Sequence, residues 1–220
     1  LRTIKTGGLD IWLEKLKKVT FHNKLGSQFE RVERIINLSE IIAKKIGCDP
    51  KLAKDAAYIS KADLSSEMVY EFPELQGIMG TYYAKKAGYA ASVSETCKDH
   101  YAPLGPSDEV PGSPISTVVA LADKIDTLTN FWAIEEKPTG SKDPFALRRS
   151  ALGMIRIIIE NDIRISLSEI LALGNKKADI EDLKEFIYQR MKVFLREKEL
   201  RHDIIDAVSY THLRAHETTD

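Results

Sequence analysis

The chain has 220 residues, with 43% hydrophobic and 30% charged side chains and a formal net charge of -1. That balance supports a packed core under a solvated surface and excludes both general disorder and nucleic-acid binding by bulk positive charge. Cys48 and Cys97 are too few for a disulfide scaffold and lack CxxC spacing, so they read as free thiols of a reducing, cytoplasmic protein. No run of about 18 apolar residues reads as a membrane span, and no signal peptide is recognised.

In chain order, residues 1–18 read as an upstream segment. A first amphipathic helix carries Phe29, Val32, Ile35, Ile36, Ile42 and Ala43 and stops at Gly47. Asp49 and Pro50 restart a helix running through Ala56 and Ile59 to Leu64, because proline suits the first helical position. A third helix is predicted from Glu74 to Gly88 and a fourth from Ala91 to Tyr101. Pro103, Gly105, Pro106, Pro111, Gly112 and Pro114 mark a loop. Ile115 to Phe131 is apolar and helical, with Asp123 and Asp126 inside it. After a second loop, 135–142, Asp143 as N-cap and Pro144 at the first position open a long helix through Ile159. A charged stretch, 175–182, precedes a last helix bearing Leu183, Phe186, Ile187, Met191 and Phe194. The chain begins at Leu1 without a methionine, as a piece cut from a longer protein would. Residues 209–220 lack apolar periodicity and read as a non-native tail, like the read-through of an adaptor.

No phosphate-binding GxxxxGK[ST] loop and no GxGxxG fingerprint occurs in the sequence. The helical pattern is compatible with a metal phosphohydrolase of the HD type, whose site needs a His, a His-Asp pair and a distant Asp around a divalent ion. Where the His-Asp pair belongs, the chain has Ser60-Lys61-Ala62-Asp63. Asp63, His100 and Asp123 remain as degenerate candidates, and a lysine beside them opposes a cation by repulsion. No metal site is expected. Asp123 also fits a plainer role, paired with Lys124 or a neighbouring helix or exposed at a turn. His100 fits a helix-end capping residue, the acidic run Glu67, Glu71 and Glu74 a solvated surface, and Tyr82 and Tyr83 core and rim packing.

Residues 137–164 hold six basic side chains against three acidic ones. Within them a Thr-Gly-Ser-Lys loop leads into a helix start, an arrangement suited to anions. Lys137, Lys142, Arg148 and Arg149 are therefore the candidate nucleic-acid contacts. The competing reading has the arginines paired with Glu135, Glu136 or nearby acids.

Three ordered blocks resemble the beta subunits of bacterial two-subunit glycyl-tRNA synthetases. They are Lys61-Ala62-Asp63-Leu64 with Glu71 through Gly80, then Leu121 through Leu128, then Pro138 through Arg149 with Ala151-Leu152-Gly153. Phe21-His22 and Lys24 through Ser27 fit as well. The resemblance implies an all-α chain: an HD-like helical domain over residues 19–165, then a linker and the truncated start of an anticodon-binding helical domain over 166–208. It implies no catalytic residue in this chain and no cofactor of its own. Glycine activation with ATP and Mg would belong to the alpha subunit, while this subunit would bind and orient tRNA(Gly). The implied partners are the alpha subunit and tRNA(Gly), with neither DNA nor a membrane. The open alternatives are a phosphohydrolase with a degenerate HD-type site and a purely structural subunit-interaction domain.

Overall fold

The computed structural model describes residues 8–198, and these form an all-α fold with one small hairpin. Helix α1 (Asp10–Leu16) leads into β1 (Thr20–His22) and β2 (Gly26–Ser27), which pair antiparallel. Then follow α2 (Gln28–Ile46), α3 (Pro50–Ile59), a 3-10 turn (Ala62–Ser65), α4 (Glu67–Glu71), a second 3-10 turn (Pro73–Leu75), α5 (Ile78–Lys86) and α6 (Ala91–Asp99). The chain closes with α7 (Pro114–Ala133), α8 (Leu147–Glu160), α9 (Leu167–Leu171) and α10 (Ile180–Glu197). No helix among the described residues is long and apolar enough to cross a membrane.

Local chemistry sets most boundaries. Ser27 and Glu30 form a capping box at the start of α2, the Ser27 hydroxyl accepting from the Glu30 N–H and the Glu30 carboxylate accepting from the Ser27 N–H. Gly47 ends α2 at φ 74°, a left-handed conformation that favours glycine. The Asp49 carboxylate accepts from the Lys51 and Leu52 N–H groups while Pro50 takes the first helical position.

Helix α7 is the hub. From Ile115 to Trp132 every residue is buried, because α2, α3, α6, α8 and α10 pack around it. An all-round buried helix cannot show a simple apolar stripe, and α7 accordingly carries charged residues into the interior. One continuous core cluster runs from Leu9, Trp12, Leu13 and Leu16 on α1 and the turn before it to Leu183, Ile187 and Phe194 on α10. The expected tail, 209–220, and the last residues of the expected second domain lie outside the described residues.

Four local expectations need correction. Helix α3 stops at Ile59 rather than Leu64, because the Ser60 hydroxyl and N–H both donate to the Ala57 carbonyl and a 3-10 turn follows. The helix expected from Glu74 begins only at Ile78: Gly77 turns at φ 80° and donates its N–H to the Asp63 carboxylate. The helix expected from Pro144 begins at Leu147. Phe145 stacks on Phe131 at 4.2 Å and edges onto His22, and that inward turn holds Ala146 in the left-handed region at φ 53°. Asp143 is therefore not the N-cap by position, although its carboxylate still accepts from the Leu147 and Arg148 N–H groups. Finally, residues 10–16 form a helix whose Trp12, Leu13 and Leu16 are buried, where no element was expected.

Candidate functional site

Two features stand close together: an ionic cluster buried against α7, and a basic rim at the start of α8. The cluster begins from matched spacing. Arg31 and Arg34 sit three residues apart on α2, as Asp123 and Asp126 do on α7, so each pair projects from one helix face toward the other. Arg31 Nη2 donates to Asp123 Oδ1 at 3.0 Å and to Thr127 Oγ1 at 2.9 Å, with its guanidinium 4.2 Å over the Phe21 ring. Arg34 grips Asp126 as a fork, Nε to Oδ1 at 2.6 Å and Nη2 to Oδ2 at 3.3 Å. Asn130 donates to the same carboxylate at 2.8 Å.

Lys61 is the centre. Its ammonium lies 3.0 Å from Asp123 Oδ1 and 3.0 Å from His100 Nε2, and 4.6 Å over the Tyr101 ring. The other imidazole nitrogen, Nδ1, is 2.8 Å from the Thr96 carbonyl, which can only accept. Nδ1 therefore carries the proton and Nε2 offers its lone pair to Lys61. Burial and the adjacent Lys61 charge hold the His100 imidazole well below its usual range, so it stays neutral. Burial brings Lys61 down to about 8, against the pull of Asp123. Asp123 shows the opposite balance. Burial alone would raise it, yet the Arg31, Lys61 and Lys124 cations hold its carboxyl well below the usual range. Lys124 is brought down to about 8 by burial and donates to the Ala102 and His100 carbonyls, tying the end of α6 to α7.

Of the degenerate metal candidates, His100 and Asp123 meet, but across the Lys61 ammonium, which takes the lone pairs a cation would need. Asp63 faces elsewhere. Its Oδ2 accepts from the Gly77 and Gly80 N–H groups at 2.7 and 3.0 Å, and burial pushes its carboxyl up. Among the described residues, no group of three or more His, Cys, Asp or Glu side chains is placed to hold a metal ion. Asp123 pairs with the neighbouring elements through Arg31 and Lys61, and the solvent-exposed alternative does not hold. His100 does cap α6, as a fully buried residue. Tyr83 is buried against Trp12 and Tyr82 lies on the rim. Glu67, Glu71 and Glu74 are exposed.

The candidate nucleic-acid residues separate into two kinds. Lys137 is neutralised by Glu135 and Asp182, both at 2.9 Å. Arg148 Nη2 donates to the Gly140 carbonyl at 2.7 Å, bracing the loop while keeping its charge. Lys142 and Arg149 are exposed. Neither arginine pairs with Glu135 or Glu136. A groove of about 720 Å3 between α8, α10 and the 103–106 turn brings Arg148 and Arg149 together with Arg190, whose guanidinium lies 4.3 Å over the Phe186 ring. Leu104 and Val193 are exposed apolar side chains in the same groove. Arg31, Arg34 and Lys61 as ion-pair partners were not found, although the equal three-residue spacing on two helices was a usable signal.

Fold and site together define an all-α chain with an ionic cluster in its interior and arginines gathered beside it. Comparison with known proteins narrows this. Residues 5–210 match the family described as "Glycyl-tRNA synthetase beta subunit", and the chain belongs to that family. It is 60% identical over 200 residues to the "Glycine--tRNA ligase beta subunit" of Ruegeria sp. (strain TM1040), covering 91% of this chain and 29% of the relative. It is 57% identical over 208 residues to the protein of the same description from Paracoccus denitrificans (strain Pd 1222), covering 94% of this chain and 30% of the relative. The chain thus spans about three-tenths of the length of these curated relatives.

Proposed function

We propose that this chain is the part of a glycyl-tRNA synthetase beta subunit that helps hold tRNA(Gly) for glycylation in the alpha subunit, where ATP with Mg is used. The observation that carries the reading is the groove in which Arg148, Arg149 and Arg190 converge. Guanidinium groups bind phosphate oxygens in pairs, and the exposed apolar side chains beside them suit sugars and unstacked bases. The chain's contribution is orientation. Fixing the acceptor end near a catalytic centre makes transfer effectively intramolecular, worth about 7–11 kcal/mol of barrier in the best-aligned cases. The HD-like domain assignment and cytoplasmic residence belong to the same reading.

The test is a titration of the alpha–beta enzyme with tRNA(Gly) over a range of salt. Binding should weaken steeply as salt rises, because phosphate contacts release counterions. Arg148→Glu with Arg149→Glu should reduce affinity at least about tenfold and flatten the salt slope. Unchanged affinity with intact assembly would move tRNA binding off this surface. Lost assembly with unchanged RNA affinity would make the surface a contact to the alpha subunit.

A further inference from the structure

Met68, Tyr70, Phe72, Ile78 and Tyr82 are five of the eleven large apolar side chains that stand exposed among the described residues, and all five fall on α4, the turn after it and α5. Single exposed apolar side chains are ordinary on a protein surface, but a concentration of them on one short stretch marks a contact. Tyr70 is 88% exposed. Ile78 and Tyr82 sit one helical turn apart on α5, whose Gly80, Tyr83 and Ala84 are buried. The backbone beneath these side chains is held in place. The Asp63 carboxylate accepts from the Gly77 and Gly80 N–H groups, the Ser66 hydroxyl accepts from the Val69 N–H, and the Leu75 N–H donates to the Phe72 carbonyl. A surface fixed in this way loses less freedom on binding. Its charge is one-sided. Between Ser65 and Ala84 the chain carries Glu67, Glu71 and Glu74 and no lysine, arginine or histidine. The three carboxylates are exposed and form no ion pair among the described residues. The next bases along the chain lie at the end of α5, where Lys85 pairs with Glu95 at 3.3 Å and Lys86 sits 5.8 Å over the Tyr82 ring.

Tyrosine, phenylalanine and methionine inside a charged rim have the composition of a protein–protein contact. Unpaired carboxylates repel phosphate, so the surface suits a polypeptide with lysine or arginine around an apolar centre and not an RNA strand. The same charges favour a separate chain as that polypeptide. Complementary charge raises the rate at which free molecules meet. A domain tethered on the same chain already meets its neighbour at an effective concentration near millimolar and gains little from steering. We propose that α4, the turn after it and the outer face of α5 form a docking surface for the alpha subunit, which meets it with an apolar face rimmed by basic side chains. The identity of the occupant rests on the alpha–beta reading above. The surface itself is distinct from the arginine groove, whose walls are α8, α10 and the 103–106 turn.

The experiment mixes purified alpha subunit with the full beta subunit and follows association and dissociation by biolayer interferometry at several salt concentrations. Wild-type association should slow as salt rises. Glu67→Gln, Glu71→Gln and Glu74→Gln combined should slow association about tenfold at low salt and flatten its salt dependence. Tyr70→Ser should speed dissociation about tenfold or more, with the Tm of the beta subunit unchanged because the ring is exposed. Wild-type association whose rates neither variant alters overturns the proposal and leaves the alpha–beta reading standing. Absence of association between the wild-type subunits overturns both. Unchanged rates with a lowered Tm of the isolated beta subunit would put the surface under another part of the same subunit, and unchanged rates with a lost beta–beta contact would put it under a second copy; either result overturns the proposal. Unchanged rates with tighter tRNA binding by the glutamine variant would give the surface to RNA and overturn it as well.

Discussion

Lys61 donates to Asp123 Oδ1 and His100 Nε2 at the same 3.0 Å while its third side meets the Tyr101 ring, so every direction of the ammonium is occupied. The charge sits only 1% exposed, where an unpaired ion is expensive. Asp123 is its counter-ion and Arg31's as well, so Asp123→Asn leaves the buried Lys61 ammonium without its paired carboxylate and Arg31 with only Asp126, at 3.7 Å. The expected cost is about 3–5 kcal/mol in urea unfolding, and a loss under about 1 kcal/mol would mean the pairing contributes nothing net. The same burial shapes the pH response. Lys61 and Lys124 sit at about 8 instead of 10.5. Between those values the unfolded chain binds the two protons and the folded chain does not, so stability climbs as pH rises through the window; below about 8 both states are protonated and the burial penalty is complete. The buried Cys97 thiol, pushed up from its usual 9, and Tyr101, pushed well above its usual 10, work in the opposite sense and limit the rise from about pH 9 upward. Urea midpoints should therefore rise from about pH 8 to about pH 9.5, and Lys61→Met should remove about half of the rise. A midpoint falling across that range would contradict the buried-ammonium account. The candidate residues here were partly legible: His100, Asp123 and Asp63 could be picked out by type, and the lysine that opposes a metal by its charge. Nothing in their spacing told that Lys61 would take the metal's place, because that depends on how three separate elements converge.

At the scale of elements, the junction of α5 and α6 depends on an absent side chain. A Cβ on Gly80 would lie 2.9 Å from Cys97 Cβ, closer than real Cβ atoms approach, and 3.0 Å from Asp63 Oδ2, tighter than most real contacts. Alanine is the better helix former by about 1 kcal/mol, which would favour Gly80→Ala in open space. Here the clash is with a rigid Cβ and with the carboxylate that accepts the Gly80 N–H, so overpacking of about 1–3 kcal/mol decides the sign. Gly80→Ala should lower the urea midpoint, and a raised midpoint would show that α5 can slide away from α6. The long elements were legible because their caps are written locally: Ser27 with Glu30, Gly47, and Asp49 with Pro50. The short ones were not. The break before α5 exists because Asp63, fourteen residues earlier, accepts the Gly77 N–H, and the late start of α8 exists because Phe145 stacks on a ring from α7. Tertiary partners override local pattern in both places.

At the scale of the molecule, a net charge of -1 conceals a separation. Arg148, Arg149 and Arg190 gather at the groove between α8 and α10, while the chain as a whole is nearly neutral, so any steering toward an anionic partner is local. The same scale decides where the folding unit ends. Sequence placed one domain over residues 19–165, yet α1 and α10 contribute Trp12, Leu13, Leu183, Ile187 and Phe194 to the cluster that surrounds α7. The two tryptophans report on opposite ends of that cluster. Trp12 lies 4.6 Å from the Tyr83 ring on α5, and Trp132 donates its indole N–H to Asp182 of α10 at 2.7 Å with Phe186 packed on it at 4.7 Å. If the cluster is one cooperative unit, Trp12→Phe and Trp132→Phe variants should each show a single fluorescence transition, and both should coincide with loss of far-UV helicity measured on the same variant. A Trp132 signal changing at lower denaturant than the helicity of α1 to α7 would mean that α10 detaches first and that the domain edge falls before Ile180. A Trp12 signal changing early would place an edge before the hairpin instead. Coincident transitions would make α1 and α10 integral to the fold, so that a piece trimmed to residues 19–165 should be destabilised by the exposure of Trp132, which α10 covers, rather than fold alone.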